Sequence, residues 1–213
     1  MKKTSRLGLL VMLGVAHASL IAPDALARDT STPDWPCIQR KIDALTSTQV
    51  WDGPAVEQLT GWRDVPGIND LLPVLTNRRI PLPQAETALK KFADSQPEAS
   101  RDERLTLVFA GVFETLHNQR KTVIGGIEKY LKAQRERSAE LERQGEEIAK
   151  LEEKAGSDEK AAAELQEAQT RFDWAQRIFQ ERQNNIPIAC EVPVKIDERI
   201  FTLGKSIRGL MKS

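Results

Sequence analysis

Histidine and cysteine are nearly absent from this chain, with two of each in 213 residues. One histidine, His17, lies in an N-terminal segment expected to be removed, which leaves His117 alone. A lone histidine argues against zinc sites built on several His or Cys and against serine-histidine-aspartate chemistry. Other signatures are missing too. There is no Cys-x-x-Cys redox pair, no haem-attachment sequence, no phosphate-cradling glycine loop and no nucleophile elbow. Glu114-x-x-His117 has the helix spacing of a ligand pair in di-metal four-helix proteins, but those sites need a second such motif. It reads as a coincidence of a helix surface. No enzyme, no metal and no cofactor are expected.

Long apolar runs are lacking as well. After the N-terminal segment the longest is Leu105 to Phe113, between Arg104 and Glu114. Nine residues of helix cannot cross a bilayer. Charge of one sign is lacking: Lys+Arg and Asp+Glu both number 31. Such a balance gives no global attraction to nucleic acid or anionic lipid, and neither is an expected partner.

What is present begins with an export signal. Lys2, Lys3 and Arg6 precede an apolar stretch from Leu7 to Ile21, and Ala25-Leu26-Ala27 offers a small-x-small cleavage site. Cleavage after Ala27 would remove three basic groups and one acidic group, leaving 28 against 30. The expected location is the periplasm. Asp34-Trp35-Pro36 before Cys37 is no lipobox, so lipid attachment is not expected. The remaining pair, Cys37 and Cys190, is most simply a disulfide joining the two ends of the mature chain.

The pattern along the chain is all-α. Asp34 and Pro36 read as the start of a helix carrying Ile38, Ile42 and Leu45 on one face. From Trp51 to Pro83, glycines and prolines permit only short helices, such as Gly67 to Asn77. Leu82 to Asp94 is amphipathic, with Ala85, Leu89 and Phe92 inward. Ser100 and Glu103 form a capping-box pattern that opens a proline-free stretch from Arg101 to about Ala155. Its apolar positions step in threes and fours, as in a helix packed along a seam. Gly125-Gly126 in its middle suggests a kink or a close helix contact. Gly156-Ser157-Asp158 makes a turn, with Asp158 as the next cap. The returning seam of Leu165, Ala168, Phe172, Ala175, Phe179 and Ile186 sets Ile148 near Leu165, Leu141 near Phe172 and Ile127 near Ile186. Pro187 then reads as a stop, followed by an extended stretch to Val192. A last helix from Pro193 carries Ile196, Ile200, Leu203, Ile207 and Leu210 on one face. The expected architecture is a small helical base (28–131 and 180–213) presenting a long antiparallel coiled-coil hairpin (132–179).

From Lys132 to Lys154, 13 of 23 residues are charged, so the hairpin tip reads as a solvated face. Trp35, Trp51 and Trp62 crowd the glycine- and proline-rich third, with Trp174 apart. The tryptophans either cover the base, their indole N–H groups bonded to loop carbonyls, or form an exposed platform for a partner. Trp51 and Trp62 are the candidate anchors in the second case, with Arg135, Arg137 and Arg143 on the hairpin as the other candidate surface. Leu45-Thr46-Ser47-Thr48-Gln49 resembles the Leu-Thr-x-x-Gln motif that recurs in small periplasmic helical chaperones of the Spy type. The likeness covers five residues and occurs once here, where that family carries it twice. Those proteins are shorter and cradle-shaped, without a long hairpin. The functional expectation is an interaction protein that docks to another envelope protein. The alternative is a holdase-like chaperone.

Overall fold

A computed structural model describes residues 35–156 and 158–212. The expected signal peptide, its cleavage site and Asp34 lie outside the described residues. The architecture is all-α, with no strand among the described residues. Two 3-10 turns, Ser47–Gln49 and Gly61–Asp64, precede the α-helices α1 (Ile68–Thr76), α2 (Leu82–Asp94), α3 (Arg101–Ala155) and α4 (Glu159–Gly209), and a third, Glu98–Ser100, lies between α2 and α3. The two long ones have 55 and 51 residues, and at 1.5 Å per residue they run about 80 Å each. They lie antiparallel as the expected hairpin. Asp158 caps α4 by accepting a hydrogen bond from the Lys160 N–H at 2.9 Å.

The core sits at one end, where α1, α2 and the N-terminal loops pack on the hairpin's open end. Leu105, Val108, Phe109, Val112 and Leu116 of α3 meet Ile196, Ile200, Leu203 and Ile207 of α4. Ile68, Leu72 and Leu75 of α1 and Ala85 and Leu89 of α2 close the other side, and Phe92 is half-buried. Two glycines set how closely the loops and helices approach. A β-carbon at Gly111 would meet the Leu72 side chain at 2.9 Å, and one at Gly204 would meet the Val50 carbonyl oxygen at 2.8 Å. Gly67 opens α1 at φ 84°, in the left-handed region that glycine tolerates best.

A buried arginine fastens this assembly. Arg199 of α4 donates from Nε to Leu75 O (2.5 Å), from Nη1 to Ile80 O (2.9 Å) and from Nη2 to Val74 O (3.4 Å). It satisfies carbonyls that the end of α1 leaves without partners. Removal from water makes Arg199 easier to deprotonate than an ordinary arginine.

Four expectations about local structure are corrected. Residues 35–46 form no helix but a strap, with Ile38 79% exposed. A helix of ten residues is marginal alone, and tertiary anchors take its place. The Trp35 indole N–H donates to Gln39 O (2.6 Å), Arg120 Nη1 donates to Ile42 O (2.8 Å), and Lys41 pairs with Glu128 (2.6 Å). Ser100 stands at the N-cap of α3 but its side chain makes no cap bond: the hydroxyl donates back to Pro97 O at 3.4 Å, at the end of a 3-10 turn over Glu98–Ser100. At Gly125 and Gly126 an added β-carbon would meet nothing within 4 Å, so there is no close contact there. Finally, α4 does not stop at Pro187. It runs through Pro187 and Pro193 to Gly209. Each proline removes one N–H from the helix ladder. Between them Cys190 is bridged to Cys37, with Cα atoms 5.5 Å apart, and packs with Ile124, Ile127 and Trp35. The local loss is outweighed by a segment held on both sides.

Hairpin register agrees with the expectation. Ile127 and Ile186 share one cluster, and Tyr130 Oη donates to Arg182 O at 2.9 Å. Gln134, fully buried, donates to Phe179 O at 3.3 Å.

Candidate interaction surface

Three of the four tryptophans belong to the base. Trp51 is 8% exposed, stacks on Phe109 with ring centroids 4.2 Å apart, and donates its indole N–H to Pro54 O at 2.8 Å. Trp62 is 9% exposed, donates to the Glu114 carboxylate at 3.2 Å, and carries the Arg63 guanidinium 4.1 Å above its ring. Of the two readings, Trp51 and Trp62 follow the first, covering the base with bonded indole N–H groups; the alternative, an exposed aromatic platform, is corrected, since both are buried. The loops containing them fold down onto α3, Trp62 lying against Gly111 and Trp51 against Phe109.

Trp174 is the exception. It lies on α4 within the hairpin, 61% exposed, with the Arg177 guanidinium 5.9 Å from its ring centroid. Sequence reasoning passed over it, although the signal was present. Phe172 and Ala175 are seam residues, and two residues beyond Phe172 is about 200° around a helix. Trp174 thus points away from α3.

The hairpin arginines are spread along α3. Arg135 and Arg143 are exposed and Arg137 is half-buried. Arg143 pairs with Glu140, while Arg137 Nη1 donates to Gln134 Oε1 at 3.2 Å. The hydrogen bond from Arg143, followed by that from Gln144, holds the Glu140 carboxyl below the usual carboxylate range. Of the three, Arg143 thus has its charge matched by a carboxylate, Glu140.

A second feature lies on the base, where the Leu-Thr-x-x-Gln segment meets α3. The Thr46 N–H donates to Gln49 Oε1 at 2.9 Å, so Thr46 and Gln49 act as a turn cap. Leu45, Thr46 and Ser47 then line a groove of about 370 Å³ with Val56, Leu59 and Phe113. Ser47 donates to the Glu57 carboxylate, which holds Glu57 below its ordinary value. His117 stacks on Phe113 at 5.6 Å, and its Nδ1 is enclosed without a hydrogen-bond partner among the described residues. Glu114 is already engaged by Trp62 and Arg63. Among the described residues no three His, Cys, Asp or Glu side chains come together as a metal site would need. Nor is any helix there long and apolar enough to cross a membrane.

Comparison with protein-family models, curated proteins and solved structures finds no match to this chain.

Proposed function

We propose that this chain is a periplasmic interaction protein, an adaptor whose hairpin docks to another envelope protein around Trp174. The observation that carries this reading is the exposure of Trp174, 61%, on the hairpin, while the other three tryptophans, in the N-terminal loops, are all buried. Binding energy at protein surfaces concentrates in a few residues, among which Trp and Arg are enriched. Trp174 with Arg177 beside it supplies both kinds. The surrounding ion pairs, such as Arg171–Glu167 and Arg143–Glu140, are exposed and contribute about 0–1 kcal/mol each. They suit solubility and register better than affinity. The buried Cys37–Cys190 bridge supports an oxidising compartment, in keeping with the export signal.

Crosslinking from intact cells, followed by pull-down, tests the proposal. Trp174→Ala should reduce capture of a fixed-stoichiometry partner about tenfold or more, with the melting temperature unchanged. Trp51→Ala should instead lower stability by about 3–5 kcal/mol. Undiminished capture by Trp174→Ala would remove the hairpin from the reading. The chaperone alternative is favoured by a different observation, the apolar groove lined by Leu45, Val56, Leu59 and Phe113. Suppression of aggregation in several unrelated clients, lost on Leu59→Asp and not on Trp174→Ala, would select it.

A further inference from the structure

The turn between α1 and α2 gathers positive charge that nothing nearby neutralises. Arg78 and Arg79 are exposed, and neither side chain makes a hydrogen bond or ion pair among the described residues. They line a cleft of about 540 Å³ with Pro73, Thr76, Asn77 and Gln119, a lining with no carboxylate. An adjoining cleft of similar size shares Arg78 and Gln119; its one carboxylate, Glu114, is already held by Arg63 and Trp62. Beneath the turn lies Arg199, whose three partners, Val74 O, Leu75 O and Ile80 O, are neutral carbonyls. The end of α1 would otherwise present carbonyls as a weak counter-charge, and Arg199 occupies them from below. Several exposed cations elsewhere are paired, Lys90 with Asp94, Arg171 with Glu167, Lys195 with Glu191 and Lys212 with Glu98. Here two adjacent guanidinium groups without such a partner line one cleft.

We propose that the Arg78–Arg79 cleft binds a phosphate monoester. The donors decide the class of anion. Each guanidinium presents a planar fork of N–H groups, and the Asn77 and Gln119 carboxamides add neutral donors. Asn77 Oδ1 already accepts the Arg79 N–H at 2.9 Å, which turns its remaining capacity toward donation. A carboxylate, with one charge and two oxygens, is satisfied by a single guanidinium. A phosphate monoester brings close to two charges and three terminal oxygens, enough to engage both. The cleft is open on one side, so the rest of the ligand extends into solvent. It is either a small soluble ester or a lipid headgroup, and the phosphate is common to both.

Calorimetric titration of the full chain with inorganic phosphate, against chloride at matched ionic strength, tests the site. Saturable one-to-one binding is expected, weakened about tenfold for each guanidinium removed in Arg78→Gln and Arg79→Gln. Both positions are exposed, so circular dichroism and melting temperature should be unchanged, and Arg78→Lys with Arg79→Lys should retain part of the binding. Sedimentation with phosphatidylcholine vesicles, with and without phosphatidic acid, identifies the source. Co-sedimentation only with phosphatidic acid, lost in the double Gln variant, assigns a lipid headgroup; phosphate binding without co-sedimentation assigns a soluble ester. No saturable binding in either arm, or binding untouched by the double Gln variant, overturns the proposal.

Discussion

At Gly204 a side chain has nowhere to go. Its β-carbon would sit 2.8 Å from a backbone oxygen, Val50 O, and 3.1 Å from the Phe109 ring. Gly204→Ala should therefore cost about 1–3 kcal/mol as overpacking. Gly125→Ala and Gly126→Ala meet open space, and each should instead stabilise α3 by about 1 kcal/mol. Thermal melts of the three variants check both signs. Asp197 offers a test of charge. It pairs with buried Arg120 at 2.8 Å, yet burial raises its pKa above the ordinary value, outweighing the opposing pull of Arg120. For an acid raised on folding, the native state holds the proton more tightly, so this group's contribution to stability falls as pH rises through the window above 3.8. Melting temperatures of Asp197→Asn and the parent chain, measured from pH 4 to 7, should show that contribution missing in the variant. A parent chain that gains from ionisation in that window would reverse the assignment.

At the scale of elements, periodicity was the legible part. The steps of three and four placed α2 and α3 at their observed ends, and the pairing of Ile127 with Ile186 set the register. Local rules failed where distant contacts override them. Pro187 and Pro193 read as breaks because their missing N–H groups are visible in sequence, whereas the packing around Cys190 is not. The strap at 35–46 read as a helix because Ile38, Ile42 and Leu45 have helical spacing, although the two isoleucines face solvent. Of the candidate surface, the arginines were legible as exposed or half-exposed, while for Trp51 and Trp62 the choice between base and platform stayed open because a loop's depth depends on the helix beneath it. The hairpin yields a prediction of its own. Between Arg135 and Ala189, Ala161 and Ala168 are the only described residues that are buried. Replacing residues 138–175 with a short turn, keeping Gln134 opposite Phe179, should lower helical ellipticity in proportion. The melting temperature should shift by only a few degrees, within about 1–2 kcal/mol. Loss of the cooperative transition would show that the tip helps hold the base.

For the whole molecule, the Cys37–Cys190 bridge spans 153 residues. Closing a loop of that size is worth up to about 4–5 kcal/mol in the chain-entropy account. Cys37→Ser with Cys190→Ser should lower stability toward that figure in urea unfolding, and thiol titration of the unreduced, denatured parent should find no free thiol. The base has a further consequence for the order in which the chain is made. Ile196, Ile200, Leu203 and Ile207 belong to the core that holds Phe109 and Leu72, yet in the chain they follow the whole outgoing and returning length of the hairpin. A chain emerging N-terminus first holds α3, with α1 packed on it and α2 on α1, before the α4 surface that covers its remaining apolar faces exists. Until α4 has doubled back along the full length of α3, those apolar faces stay uncovered and Cys37 has no partner. The core is therefore completed only by the return of α4.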